Sequence, residues 1–389
     1  MRVLVFLLVA CGTILGLAGT DLVLPAIPTL PRVLGGDVAA GQLVLAGFTA
    51  GMAVGLLLFG ALGRRFGRGL TLAVALSCYG LLSFAGYCAT QIKTLIVLRC
   101  LQGLFALAPA VFAPGIIREL FSEYAATRAI GAMGSLESLA PALAPILGVW
   151  LFKRGGWQEA FIVTAAAALL LAAAISIVAG RIPRGRIGGS RGSYWRLLTS
   201  PVFLRYGASQ AFVLGGLIIF VFGTPAVIVT AMHGTISNFI EMQITGVASF
   251  IVASNSVGSL ARRFGAEALI TLGTSLAACS ALGMLIYGLS GQNNPSWIPY
   301  LFLPMNFGLG LRGPPGFYLA IVAGEGDDER AASLTLLAVM AVSSVGTTLV
   351  APFLHFGLTS LAIAVLIAQL MGIGCLALLP RLPRSIDQR

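Results

Sequence analysis

The sequence of 389 residues has little charge for its length. Only 10% of its residues are Asp, Glu, Lys or Arg, whereas 58% are apolar. A soluble protein of this size needs far more charge to cover its surface, so the composition indicates a chain whose solvent is the lipid bilayer. The net charge of +11 does not indicate nucleic-acid binding. The basic residues lie in short segments between apolar runs and form no basic domain.

Lysine and histidine are almost absent. Neither Lys93 nor Lys153 follows a glycine as a phosphate-binding loop requires, which excludes an ATP-driven pump on this chain. The only histidines, His233 and His355, fall at the outer edges of apolar runs and lack metal-spaced partners. We therefore expect no metal, no cofactor and no enzyme activity.

The cysteines also lack the paired spacing of a disulfide framework or a zinc site, and they are expected to be buried thiols. Leu8 to Cys11 superficially resembles a lipoprotein cleavage site. The apolar run continues past it to about Ile27, however, which favours an uncleaved first helix.

Apolar runs of about 20 residues, the length that crosses a membrane as a helix, occur twelve times. They cover 3–27, 42–63, 69–89, 94–117, 129–152, 159–180, 202–231, 237–260, 267–290, 297–323, 331–354 and 358–380. One long polar interruption, rich in arginine, glycine and serine, separates six runs from six. The sequence therefore predicts an all-α membrane protein with a six-helix bundle at 1–180, a cytoplasmic linker at 181–201 and a second six-helix bundle at 202–389.

A basic segment occurs once in each half. Gly60 to Gly67 reads GALGRRFG, and Gly258 to Gly265 reads GSLARRFG, 198 residues later. Each copy closes one apolar run and precedes the next. A duplication of this kind is typical of secondary transporters built from two related bundles.

The basic residues are divided unequally between the predicted loops. With the N-terminus in the cytoplasm, eighteen lie inside and four outside: Arg32, Lys93, Lys153 and Arg154. The positive-inside rule therefore places both termini in the cytoplasm. We expect a multi-pass, monomeric protein of the cell inner membrane, with its basic loops touching anionic lipid.

Several motifs follow one another along the predicted spans. They are Asp21 to Pro25 in span one (DLVLP), Gly60 to Arg68 between spans two and three, Arg99 to Gly103 in span four (RCLQG), Ala140 to Gly148 in span five, Gly156 to Phe161 at span six and Gly223 to Pro225 in span seven. In order and placement they resemble the major facilitator superfamily, and within it the twelve-span drug:proton antiporters of the bicyclomycin- and chloramphenicol-resistance type. The resemblance implies the major facilitator fold, with two six-helix bundles.

The sequence departs from that family at two positions. Arg64 stands where the G-x-L-x-D-R-x-G-R loop has its aspartate, and Leu56 stands where the subgroup's second span commonly has glutamine. In the family the aspartate helps latch the two halves, so here the latch is absent or has moved to Glu119. The residues to which the resemblance assigns gating are Gly60, Gly67, Arg65, Arg68, Glu119, Pro141, Pro145 and Gly148. Helix packing is the alternative for the span-five residues.

An acidic cluster precedes span eleven. It consists of Glu325, Asp327, Asp328 and Glu329. Acids favour a helix N-terminus, and these also offer partners to the arginines of the basic loops.

Ionisable residues inside predicted spans are costly and therefore candidates for function. Asp21 and Arg99 fall at similar depth near the outer ends of spans one and four. One interpretation is a proton-coupled switch in which Asp21 gains and loses a proton while Arg99 and Gln102 sense its charge. The alternative is a static buried ion pair.

Glu137 lies one helical turn before Pro141 in span five. Burial without a partner favours the neutral carboxyl group, which suits a carrier of protons. The alternative is a glutamate bonded to a neighbouring span.

Arg312 lies near the middle of span ten, among four glycines and the pair Pro314-Pro315. We expect the helix to break there and to present Arg312 to an anionic or carbonyl-bearing substrate. The alternatives are bonds to freed carbonyls of its own helix, or an ion pair with Glu137. The aromatic candidates for a drug cavity are Phe48, Phe105, Phe220 and Phe307, and the alternative is that they face lipid or the helix core.

Together these features predict a proton-coupled secondary transporter that exports small amphipathic compounds by alternating access, as in multidrug efflux. Its partners would be a small-molecule substrate, protons and membrane lipids, and no nucleic acid. Export of an endogenous metabolite or siderophore and uptake of a nutrient stay open. A non-transporting receptor or a membrane enzyme is the alternative from another class.

Overall fold

A computed structural model describes residues 2–27, 29–36, 38–184 and 193–383. Within these ranges the chain is helical and has no β-strand. The first half contains α1 (Arg2–Asp21), α2 (Leu30–Leu34), α3 (Val38–Phe66), α4 (Arg68–Tyr87), α5 (Ile92–Ala106), α6 (Ala108–Leu120), α7 (Glu123–Gly155) and α8 (Gln158–Val178). The second half contains α9 (Tyr194–Thr199), α10 (Pro201–Ala226), α11 (Ile236–Phe264), α12 (Ala266–Leu289), α13 (Ile298–Val322), α14 (Asp328–Val350) and α15 (Leu358–Leu378).

The predicted membrane spans coincide with these helices. Ten helical segments among the described residues are long and apolar enough to cross a membrane, and one of them, Ile92–Leu120, joins α5 and α6. The other two predicted spans fall in α7 and α13, which have 33 and 25 residues. At 1.5 Å per residue both exceed the ~30 Å hydrocarbon core. The prediction of an all-α membrane fold is confirmed.

The chain forms two compact units. The first comprises Met1–Leu120, Leu136–Ser190 and Gly326–Ser333, and the second comprises Phe121–Ser135, Arg191–Glu325 and Leu334–Arg389. Thus α7 and α14 each contribute residues to both units. Part of the predicted linker, residues 185–192, lies outside the described residues, and the described remainder includes α9. The predicted boundaries at 180 and 202 stay predictions.

Glycines bring α3 and α5 into backbone contact inside the first unit. A Cβ atom on Gly51 would lie 1.9 Å from the carbonyl oxygen of Cys100, and one on Gly55 would lie 2.1 Å from that of Leu104. From the opposite side, a Cβ atom on Gly103 would lie 2.0 Å from the carbonyl oxygen of Phe48. Small residues of this kind allow membrane helices to pack closely, which lipid cannot drive by itself.

The first helix is shorter than predicted. It ends at Asp21, and the chain continues through a turn and a 3₁₀ helix at Leu24–Ala26. Pro25 has no backbone N–H and cannot extend an α-helical ladder, which favours the end of α1 before it. The predicted span 3–27 therefore becomes a helix with Asp21 as its last residue.

The predicted break in span ten is wrong. The helix α13 is continuous from Ile298 to Val322 through Pro304, Pro314 and Pro315. Neighbouring helices can compensate for the missing N–H groups of proline in a membrane. The glycines there serve close packing: a Cβ atom on Gly308 would lie 2.4 Å from the carbonyl oxygen of Gly273 in α12.

The α3–α5 contact predicts a steric response at Gly51. We expect Gly51→Ala to destabilise the protein by about 1–3 kcal/mol, because its methyl group overlaps the Cys100 carbonyl. The melting temperature of the purified protein, followed by tryptophan fluorescence, measures the effect.

Gly374 in α15 is the matched control, because a Cβ atom there meets nothing within 4 Å. Gly374→Ala should leave the melting temperature unchanged or raise it, since alanine is favoured over glycine in a helix by roughly 0.5–1 kcal/mol. Equal melting temperatures for the two variants would contradict the packing account.

Candidate functional site

Arg99 is enclosed inside the first unit, with 1% of its surface exposed. Its Nη2 donates to the carbonyl oxygen of Gly19 at 3.1 Å, and its Nη1 donates to Oε1 of Gln102 at 3.3 Å. The guanidinium carbon lies 4.0 Å from the centre of the Phe48 ring, a cation–π contact. Arg99 thus ties α5 to both α1 and α3.

A chain of polar groups continues from Arg99 into α4. Gln102 donates from Nε2 to the hydroxyl of Ser83 at 2.7 Å, and that hydroxyl donates to the carbonyl oxygen of Tyr79 at 2.7 Å. All of these side chains are buried. The structure therefore brings together Arg99 and Gln102, as the sequence predicts, and adds Ser83.

The predicted ion pair between Asp21 and Arg99 is absent from the described part of the chain. The guanidinium lies instead on the carbonyl oxygen of Gly19, two residues before Asp21. Asp21 itself is half-buried at the end of α1. Gly148 packs beside it, since a Cβ atom there would lie 2.5 Å from the carbonyl oxygen of Leu22. Span five therefore contacts the residue that follows Asp21.

Glu137 is half-buried in α7, and its carboxylate has no ion pair or hydrogen bond among the residues described. The alternative of a bond to a neighbouring span is therefore not observed. Two residues earlier, Ser135 has its hydroxyl oxygen 2.8 Å from that of Ser254 in α11. Asn255 donates to the same Ser135 oxygen at 2.9 Å. These serines and Asn255 fasten the beginning of α7 to α11 within the second unit.

Arg312 is fully enclosed in the second unit, with 0% of its surface exposed. It donates from Nη1 to the backbone carbonyl of Ser209 at 2.8 Å and from Nη2 to the Ser209 hydroxyl at 3.1 Å. Arg312 is thus enclosed by protein in this structure, and its role in substrate binding stays a prediction. Its carbonyl partner belongs to α10 and not to its own helix.

The two intramembrane arginines share one arrangement. Each lies on the fourth crossing of its half and donates to a backbone carbonyl of the first crossing, at Gly19 in α1 and at Ser209 in α10. In hydrocarbon every polar group needs a partner inside the protein, and a carbonyl oxygen has a second lone pair to offer. The two arginines consequently join helices, and neither pairs with Asp21 or Glu137 in the described part of the chain.

The aromatic candidates divide into two groups. Phe48 and Phe220 have 0% exposure. Phe48 lies under Arg99, while Phe220 stacks on Phe302 with ring centres 5.0 Å apart. Both belong to the packed interior, which is the alternative to a position lining a cavity. Phe105 and Phe307 are half-buried, and their role in binding stays a prediction.

An ionic network centres on Arg68, the first residue of α4. Its guanidinium contacts carboxylates of Glu329 at 2.5 Å, Glu119 at 2.8 Å and Asp328 at 3.6 Å. Arg118 of α6 adds a bidentate contact to Asp328, with the shorter N–O distance 2.6 Å. Arg68 has 1% of its surface exposed. Its desolvated charge is thus surrounded by carboxylates of α6 and of the first turn of α14.

Glycine makes room for this network. A Cβ atom on Gly115 of α6 would lie 2.7 Å from Nη2 of Arg68. Gly67, which precedes Arg68, has φ +80, a conformation that L side chains rarely adopt. Among the other gating candidates, Gly60 is buried in α3, whereas the side chains of Arg65, Pro141 and Pro145 lie outside the described residues.

One acid in the spans escaped the sequence analysis. Glu241 lies in α11, within the predicted span 237–260, and is exposed. A charged residue inside an apolar run is the sequence feature that could have identified Glu241 as a candidate. The predicted pairing of loop arginines with the acidic cluster before span eleven is confirmed for Asp328 and Glu329. Glu325 pairs with Arg196 of α9 at 2.9 Å.

Comparison with known proteins places this fold in a family. The model of the Major Facilitator Superfamily matches residues 9–346. The chain belongs to the major facilitator superfamily. It is a membrane transporter and not an enzyme. The solved proton:xylose symporter XylE shares the fold, with a TM-score of 0.71 and 15% identity over 96% of this chain and 94% of that one.

Sequence relatives carry names of drug resistance. A bicyclomycin resistance protein homolog of Haemophilus influenzae is 25% identical over 278 residues, which are 70% of this chain and 70% of the relative. A chloramphenicol resistance protein of Pseudomonas aeruginosa is 25% identical over 286 residues, 72% of this chain and 67% of the relative. The resemblance to the drug:proton antiporter group of the superfamily is confirmed.

The Arg68 network predicts a stability effect. We expect Arg68→Ala to cost about 3–5 kcal/mol, because it leaves the buried carboxylate of Glu329 uncompensated and removes one of the two arginines beside Asp328. The melting temperature of the purified protein is the measurement. Arg263→Ala is the control: this arginine is exposed in the second copy of the basic segment. If Arg68→Ala lowered the melting temperature no more than the control, the network would not be a stabilising element.

Proposed function

We propose that this transporter exports small amphipathic compounds in exchange for protons by alternating access. The observation that carries the proposal is which ionisable side chains inside the spans have partners. Arg99 and Arg312 are bound to backbone carbonyls, whereas Asp21 and Glu137 have no ion pair among the described residues. The names of the relatives support drugs as the class of substrate.

Unpaired acids in a membrane suit proton coupling. A carboxylate without a counter-charge is costly in hydrocarbon, and protonation removes that cost. A protein that alternates between two states can therefore bias one state by protonation and the other by substrate. Asp21 and Glu137 are the proposed proton sites. Arg99 and Gln102 position α1, since Arg99 holds the Gly19 carbonyl next to Asp21.

The Arg68 network is the proposed gate on the cytoplasmic side. Arg64 has replaced the loop aspartate of the family, and the carboxylates around Arg68 come instead from Glu119 and the first turn of α14. A change of conformation that separates α4 from α14 must break these contacts. Gly60, Arg65 and Gly67 would belong to this gate. In span five, Pro141, Pro145 and Gly148 would allow the helix to bend or would close it against its neighbours.

The proposed setting is the cell inner membrane, with both termini in the cytoplasm and the protein acting as a monomer. The excess of basic residues in the predicted inner loops supports this orientation. Substrate would enter from the cytoplasm or the inner leaflet and leave on the opposite side. Protons would return the carrier to its inward-facing state.

Transport in membrane vesicles tests the proton sites. With chloramphenicol as probe, a pH gradient should drive transport by the wild type, whereas Asp21→Asn and Glu137→Gln should each reduce that transport at least about tenfold, the effect of about 1.4 kcal/mol. Exchange of labelled for unlabelled compound without a gradient should survive in both variants, because it needs no net proton movement.

Glu159→Gln is the control, since Glu159 lies in the first turn of α8 at the end of a span. Gradient-driven transport that is unchanged in both acid variants would disprove the assignment of the proton sites. Accumulation in the opposite direction would favour uptake of a nutrient over export.

A further inference from the structure

An apolar groove runs along the second unit between α10, α14 and α15. Its volume is about 640 Å³. The walls are formed by α14 and α15, and the side chains along them that are exposed are all apolar: Ala341, Val345, Leu349, Ile363, Ile367 and Met371. Because these lining residues are exposed, the groove is open along one side and is not an enclosed cavity.

The bottom of the groove is closed by protein. A Cβ atom on Gly215 of α10 would lie 2.6 Å from Cγ1 of Val342 in α14, and one on Gly346 of α14 would lie 2.1 Å from Cδ1 of Ile219 in α10. Val342, Gly346 and Ile219 all line the groove. The two helices therefore touch beneath it, and an occupant can enter only from the open side.

The length of the groove corresponds to one leaflet of a bilayer. It extends from Ala341 to Val350 on α14 and from Ser360 to Met371 on α15, which at 1.5 Å per residue is about 14 and 17 Å. Half of the ~30 Å hydrocarbon core is about 15 Å. Since α14 begins in the Arg68 network, the groove lies in the leaflet remote from that network.

The groove makes no polar demand on an occupant. Ser360 is the one polar residue among the described residues that line it. Its hydroxyl donates to the carbonyl oxygens of Phe353 and Gly357, at 2.7 and 3.0 Å, so it is already satisfied. Apolar cavities of this kind do not hold water. A peptide segment would bring backbone polar groups that find no partner here.

The end of the groove lies at the membrane border. Phe353 and Phe356 of the 3₁₀ helix Ala351–Phe356 line it there, and aromatic residues are typical of that depth. His355 lies beside them, with its ring centre 4.0 Å from that of Phe356 and its Nδ1 2.8 Å from the carbonyl oxygen of Pro352. This helix carries no lysine or arginine, so it offers no permanent positive charge to a head group.

We propose that the groove binds one acyl chain of a membrane phospholipid, with the head group at the border beside His355. An empty groove would forfeit dispersion contacts along both walls. The bilayer around α14 and α15 supplies a flexible apolar chain whose length matches that of the groove. The site selects the chain and not the charge of the head group. This lipid site is separate from the proposed proton coupling, and its occupancy is measured without transport.

Photochemical labelling of the full-length protein in phosphatidylcholine vesicles tests the site. The probe is a trace of phosphatidylcholine with a diazirine in the middle of one acyl chain, and labelled peptides are identified by mass spectrometry. In the wild type we expect stronger labelling of residues 341–350 and 360–371 than of the lipid-exposed residues of α8. A phosphatidylglycerol probe with the same chain should label the groove equally, within about twofold.

Two variants fill the groove from opposite walls. Ala341→Phe and Ala364→Phe should each lower its labelling about fivefold or more, the effect of about 1 kcal/mol, because the added ring occupies the space of the chain. Ala166→Phe is the matched control, since Ala166 is exposed eight residues after the end of α8 that corresponds to the groove end of α15. It should leave labelling of the groove unchanged.

Three results would overturn the proposal. The first is labelling of the groove in the wild type no stronger than that of α8, as random contact with lipid or a second copy seated in the groove would produce. The second is unchanged labelling in both filled variants. The third is labelling by the phosphatidylglycerol probe that greatly exceeds labelling by phosphatidylcholine, which would show that head-group charge directs the lipid.

Discussion

Hydrocarbon offers no hydrogen bonds, so each polar group in a span must find its partner within the protein. Arg99 and Arg312 meet this requirement by donating to backbone carbonyls of α1 and α10. These bonds hold the fourth crossing of each half to the first. Among the described residues, Asp21 and Glu137 have no positive partner. Because the arginines donate to backbone carbonyls and not to carboxylates, the same hydrogen bonds underlie the packing of each unit and the proposed proton chemistry.

Arg68 obtains carboxylate partners although Arg64 stands at the position of the family's loop aspartate. A buried arginine needs carboxylates, and this chain supplies them from Glu119 and from Asp328 and Glu329 in α14. The second copy of the basic segment has Ala266 where the first has Arg68, and the exposed Arg262 and Arg263 remain at the surface. Among the described residues, the duplicated segment therefore leads into an ionic network only in its first copy.

The sequence predicted correctly those features that depend only on the position of a residue along its helix. Apolar runs located the spans, and the order of motifs located Arg99, Gln102 and the acids before α14. The sequence predicted less well which neighbour a side chain meets, because that depends on the rotation of each helix about its axis. Asp21 and Arg99 share a depth, but the guanidinium is fixed by Phe48 and Gly19. Phe220 faces Phe302 and not a cavity. In span ten, helix-breaking residues gave the wrong result because α12 packs against the glycines.

The claim that the unpaired acids carry protons can be tested on the purified protein. A compound that the wild type transports is added to a weakly buffered solution, and the release of protons is followed with a pH indicator. We predict that the wild type releases protons when it binds the compound, and that the double variant Asp21→Asn, Glu137→Gln binds it without release. Equal release by both proteins would contradict the account, because the protons would then come from other groups.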